Sequence, residues 1–118
     1  ALSKIEIIDE YNTSFISLSQ NDLNKFDFKK GDTEGIVNYG LSIKDIKFAA
    51  IFIEDKKENI IKISFRSKGS FDVNKFSRDN FNGGGHKNAS GAVSKDSMSS
   101  TIINFKNALK NYKTELNI

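Results

Sequence analysis

The chain has 118 residues, 37% hydrophobic and 28% charged, with ten Phe, three Tyr, a single His and no Cys. That length suits one domain with one core, and the apolar content excludes a disordered segment; the missing cysteines exclude disulfides and thiolate chemistry, and the lone His86 excludes a histidine-based metal cluster within one chain. A net charge of +3 inclines the chain towards anionic partners, without the dense basic stripe of a protein that binds duplex DNA mainly by charge.

From the N-terminus, Lys4 to Asp9 and Thr13 to Ser19 read as two short strands joined near Tyr11-Asn12, because Ile5, Ile7, Phe15, Ile16 and Leu18 sit among polar residues. Leu23 and Phe26, three apart, predict a short helix over Asn21 to Phe26, ending in a turn at Lys29-Lys30-Gly31. Asp32 then offers an N-cap oxygen, which places Thr33, Glu34 and Gly35 in the first turn of a helix carrying Ile36, Val37 and Leu41. Ile46 to Glu54 and Asn59 to Arg66, rich in Ile and Phe and split by a charged turn, predict a central hairpin. Asp72 caps a helix over Val73 to Asn80. From Ser97 the spacing of Met98, Ile102, Phe105, Leu109, Tyr112 and Leu116 predicts one long helix whose apolar stripe is packing surface. The sum is a single α/β domain over residues 1–118, a mixed and mostly hairpin-built sheet with packed helices. No run of about 18 apolar residues is present to span a bilayer, and no signal-peptide pattern opens the chain, so a cytoplasmic protein without a membrane partner is expected. Ala1 in place of an initiator Met fits a piece excised from a longer polypeptide.

Two places carry chemistry. Gly83, Gly84 and Gly85 lose more backbone entropy on folding than other residues would, so three in succession ask for a reason. One reason is access: backbone N–H groups without neighbouring Cβ atoms approach an anion closely, and His86 adds a donor whose charge follows pH. The other reading is a flexible loop with an incidental histidine, against which the small residues of Lys87 to Ala92 argue, since a floppy linker has no need of them. Alternation along Ser64-Phe65-Arg66-Ser67 puts Ser64 and Arg66 on one face and Phe65 on the other. Arg66 there forks onto a phosphate, or forms a surface salt bridge.

Ser64-Phe65-Arg66-Ser67, Asp72-Val73-Asn74, Phe81-Asn82-Gly83-Gly84-Gly85-His86 and Ala89-Ser90-Gly91, in that order, resemble the signature of the DHHA1 domain. Asp32 to Asn38 is similar to a segment of the branch containing the bifunctional oligoribonuclease and 3'-phosphoadenosine-5'-phosphate phosphatase. The resemblance implies a two-domain phosphoesterase, in which an N-terminal DHH domain holds two metal ions, commonly manganese, and this domain closes over the substrate. The DHH triplet is absent from these residues, so the resemblance implies no catalytic or metal-binding residue in the chain and no hydrolysis by it alone. It assigns His86 and the amides of Gly83, Gly84 and Gly85 to the substrate phosphate and Arg66 to a phosphate or the terminal nucleotide, with Ser64, Ser67, Glu34 and Asn38 lining the pocket. The expected partners are short oligonucleotides or phosphorylated nucleotides and the DHH domain of the same polypeptide, with a homodimer left open. Other readings are a single-strand-specific exonuclease or a cyclic-dinucleotide phosphodiesterase of the same superfamily, a non-catalytic RNA-binding module, and a structural or dimerising domain. The last leaves the glycines and Arg66 without a role.

Overall fold

The structure, a computed structural model, describes residues 4–25 and 29–118, the side chain of Lys30 aside. Its elements are β1 (Glu6–Ile8), β2 (Thr13–Leu18), α1 (Gln20–Lys25), α2 (Lys30–Ser42), β3 (Phe48–Asp55), β4 (Ile60–Ser67), α3 (Val73–Phe81), β5 (Gly84–His86), β6 (Ala89–Ser94), α4 (Met98–Leu109) and α5 (Lys113–Leu116). The strands form a six-stranded sheet in the order β1-β2-β3-β4-β6-β5. Every neighbouring pair is antiparallel except β2 and β3, which run parallel because α1 and α2 carry the chain back across the sheet between them. The sheet is therefore three hairpins, β1–β2, β3–β4 and β5–β6, joined by two helical crossovers, α1–α2 from β2 to β3 and α3 from β4 to β5, which no local pattern announces.

Alternation divides the apolar residues of the central strands between two faces. Phe15, Phe48, Ala50, Phe52, Ile61, Ile63 and Phe65 face one way and pack against Val73 and Phe76 of α3, Phe105, Ala108 and Leu109 of α4, and Leu116 of α5. Here the rings meet one another: the Phe48 ring centroid lies 4.9 Å from those of Phe71 and Phe76 and 5.7 Å from those of Phe65 and Phe105. Such edge-on and tilted contacts add to the burial of large apolar area. On the opposite face Ile16, Leu18, Ala49 and Ile51 pack against Val37 of α2, with Leu23, Ile36 and Leu41 at the margin. Gly40 makes that close approach feasible, since a Cβ there would lie 2.8 Å from Ser14 Oγ, which itself donates to the Gly40 carbonyl at 3.0 Å.

Local signals place some boundaries and miss others. Asp72 does cap α3, accepting from the Lys75 N–H at 2.9 Å. Asp32 does not cap α2, which starts at Lys30 and so includes the expected turn residues Lys30 and Gly31. Its carboxylate sits one turn inside and accepts from the Lys29 N–H at 2.9 Å, the reciprocal half of a capping arrangement, where a negative charge also meets the positive end of the helix. The first helix covers Gln20–Lys25, and Phe26 lies outside the described residues. The C-terminal stripe spans two helices with a 3₁₀ turn, Lys110–Tyr112, between them, yet all of its residues stay against the core. Among the described residues, no helix is long and apolar enough to cross a membrane.

Candidate functional site

Because α2 lies over β2 and β3 and reaches β4 only as far as Arg66, β6 and β5 lack a helical cover there. The β4 residues that point to this side are Ser64 and Arg66, as alternation requires once Phe65 is fully buried on the other. Pairing registers Arg66 beside Ala89 and Ala89 beside His86, and in the next row Ser64 beside Gly91 and Gly91 beside Gly84. Directly paired residues share a face. Strands lie about 4.8 Å apart, so the backbones of Arg66 and His86 stand roughly 10 Å apart with only a methyl group between them. The row is a bare floor with a guanidinium at one end and an exposed imidazole at the other.

The Arg66 fork is closed. Nη2 donates to Glu34 Oε2 at 2.7 Å and Nε to Glu34 Oε1 at 3.3 Å, while Nη1 donates to the carbonyls of Phe65 at 2.9 Å and Ser90 at 3.5 Å. Of the two readings open for Arg66, this conformation is the salt bridge. Glu34 and Asn38 lie one turn apart on α2, and Asn38 Nδ2 donates to Glu34 Oε1 at 3.4 Å. The Arg66 hydrogen bond holds the Glu34 carboxyl below the usual carboxylate range, outweighing desolvation, which acts in the other direction.

The glycine segment is an edge strand of the sheet and not a loop. Its short hairpin with β6 turns at Lys87-Asn88 and is stitched to α3. Val73 N–H donates to the Lys87 carbonyl at 2.7 Å, Ser90 Oγ to the Val73 carbonyl at 2.7 Å, and Ser77 Oγ to the Gly91 carbonyl at 2.9 Å. Two of the amides expected to meet an anion have internal partners: Gly83 N–H donates to the Ser77 carbonyl at 3.1 Å and Gly85 N–H to Asn74 Oδ1 at 3.0 Å. Packing accounts for two of the three glycines. A Cβ on Gly83 would collide with the Gly91 carbonyl and the Ser77 hydroxyl, and one on Gly85 would lie 2.7 Å from both Ala89 O and Ser90 Cα. A Cβ on Gly84 would meet nothing closer than Asn74 Oδ1 at 3.5 Å, so the chain itself does not require that glycine.

Ser67 corrects an expectation. It is buried on the phenylalanine side, donating to the Phe71 carbonyl at 2.6 Å and accepting from Asn88 Nδ2 at 2.9 Å, and so holds the hairpin tip in place without lining the open face. The parity that turns Ser64 and Arg66 outward turns Ser67 inward. Asn74 and Arg78 on α3 went unassigned in the sequence. Asn74 fixes β5 through Gly85, and Arg78 Cγ lies 3.6 Å from where a Gly84 Cβ would stand. Their spacing of four, which puts both on one helix face, was the available signal.

An open depression of about 870 Å³ runs along the edge of β6 beyond the end of β5, lined by Asn80, Phe81, Gly83, Gly91, Val93 and Asn104 among others. It shares Gly91 with the row of Ser64, Gly91 and Gly84. Among the described residues no three His, Asp or Glu side chains are grouped to hold a metal ion, so these residues do not fit the manganese centre that the resemblance implies for a DHH domain.

The sequence matches the DHHA1 domain over residues 11–117. An exopolyphosphatase-related protein from Bacteroides fragilis is 43% identical and superposes with a TM-score of 0.92, the match covering 99% of this chain and 34% of that one. A pGpG-specific phosphodiesterase from Vibrio cholerae is 14% identical with a TM-score of 0.57, over 98% of this chain and 36% of that one. An uncharacterized protein from Helicobacter pylori is 19% identical with a TM-score of 0.55, over 92% and 28%. The latter two show a common fold alone. The chain spans about a third of the length of these structures. No curated protein matches it.

Proposed function

The chain belongs to the DHHA1 domain family, and from that premise we propose that it is the substrate-holding domain of a longer DHH-family phosphoesterase acting on short oligonucleotides. The observation that carries this reading is the row Arg66, Ala89, His86, which offers two cationic or hydrogen-bonding ends across a floor without bulky side chains. Arg66 takes one phosphoryl group as a bidentate fork, and His86 meets a second at the far end of the row. A ligand with two separated phosphates suits that spacing, which brings 3'-phosphoadenosine-5'-phosphate within the same proposal. Gly84, free of any packing need, lets the ligand approach the backbone. In this reading the DHH domain of the same polypeptide closes over the open face and supplies the manganese-dependent chemistry, while this chain binds and orients. A second reading, an inorganic polyphosphate as ligand, is favoured by the exopolyphosphatase-related protein that is 43% identical.

The test is titration of the chain with a 5'-phosphorylated dinucleotide, 3'-phosphoadenosine-5'-phosphate and tripolyphosphate, with and without manganese, alongside an assay for released mononucleotide. The dinucleotide is expected to bind without manganese and to stay intact. Arg66→Ala or His86→Ala should each weaken binding by about 10- to 100-fold, as loss of a hydrogen bond worth about 1.5–3 kcal/mol to a charged group requires, with little change in melting temperature. Tighter binding of tripolyphosphate selects the second reading. Unchanged affinity in both variants, or manganese-dependent hydrolysis by this chain, rejects the proposal.

A further inference from the structure

Arg66 is held by partners of unequal permanence. The carbonyls of Phe65 and Ser90 that receive Nη1 belong to the β4–β6 part of the sheet and stay where the backbone is. Nε and Nη2 make up the edge that accepts a carboxylate or a phosphoryl group through two parallel hydrogen bonds, and one such group fills it. Glu34 fills it here, from a side chain that is 57% exposed, whereas that of Arg66 is 20% exposed. Rotating Glu34 into water therefore leaves the guanidinium in place and its remaining edge bare. The backbone carbonyls also orient Arg66 without help from Glu34, which argues against Glu34 as a necessary positioning group.

Resting on the reading of Arg66 as a phosphate anchor, we propose that Glu34 is an internal competitor for that anchor: its carboxylate occupies the anion site in the free chain, and a phosphoryl group of the nucleotide binds by displacing it. Binding is then an exchange of one anion for another on a fixed cation. Glu34 lowers the affinity of the site for every anion and leaves it to the ligand's further contacts, at His86 and along the floor of the row, to drive the exchange. An exposed ion pair changes an equilibrium constant by at most about fivefold, so the competition is weak enough for a specific ligand to win.

The experiment titrates a 5'-phosphorylated dinucleotide into the parent chain, Glu34→Gln and Arg66→Ala, with the Glu34 side-chain carboxyl followed by NMR in the parent. Glutamine keeps the size and removes the charge. Glu34→Gln is expected to tighten binding by about two- to fivefold, and saturating ligand should return the Glu34 carboxyl in the parent to the ordinary carboxylate range. Weaker or unchanged binding by Glu34→Gln, with Arg66→Ala still impaired, overturns the competition and leaves the anchor standing. Arg66→Ala binding as well as the parent instead removes the anchor itself, and the proposed function with it.

Discussion

The two faces of the sheet use the same strands for opposite purposes. On one face three helices cover the sheet, and Phe15, Phe48, Phe52, Phe65, Phe76 and Phe105 are shut away from water, each ring against others. On the other, α1 and α2 seal β2 and β3 and α2 reaches Arg66 of β4 through Glu34, while β6 and β5 present Ala89, Gly91 and His86 with no helix above. A change on the covered face removes packing and leaves a cavity. A change on the open face removes an interaction with something outside the chain. Successive residues of a strand point to opposite faces, so Phe65 and Arg66 belong to different regimes although they are neighbours in sequence.

The largest effect expected from this contrast is at Phe65. Phe65→Ala should cost about 3–5 kcal/mol of stability in urea unfolding, because the side chain is fully buried among Phe48, Phe76, Phe81 and Phe105. A loss comparable to that of an exposed-site substitution would erase the distinction between the faces.

The glycines sharpen the same comparison within one strand. Gly85→Ala forces a methyl group against the backbone of β6 and should lower stability by about 1–3 kcal/mol. Gly84→Ala meets only ordinary van der Waals contacts with Asn74 and Arg78, so its unfolding curve should lie within about 1 kcal/mol of the parent while dinucleotide affinity falls. Equal stability loss at both positions would show that the whole segment is glycine for packing reasons.

The smallest effect concerns pH. Arg66 lowers the Glu34 carboxyl in the folded chain, so the pair contributes stability above the ordinary carboxylate range and loses it as pH falls through the lowered folded value. With Glu34 well exposed, that contribution is at most about 1 kcal/mol. NMR titration should find the Glu34 carboxyl back in the ordinary range in Arg66→Ala. A Glu34 carboxyl still lowered in that variant would mean that some other group holds it down.

Much of this architecture was legible because its signals are local. The run of Ile and Phe in β3 and β4, the Asp72 cap and the apolar stripe from Met98 to Leu116 each follow from spacing within a few residues. The parity that turns Ser64 and Arg66 away from the core follows in the same way. The ordered fragments from Ser64 to Gly91 also sufficed to point to the DHHA1 family. The parallel placement of β2 beside β3 was not legible, since it depends on how a crossover packs and not on either strand's pattern.

By itself, the sequence determined which residues alternate, which stripe is buried and which short motifs stand in order, because periodicity and glycine chemistry act over one or two turns of chain. Only the tertiary structure decided that Glu34 closes the fork of Arg66 across 32 positions, that Ser67 serves the hairpin from within, and that Gly83 and Gly85 are packing glycines while Gly84 is not. Those outcomes depend on which face α2 covers and how closely β6 passes β5. Both are set by long-range packing, in which a residue's neighbours come from distant segments and its own sequence context carries no record of them.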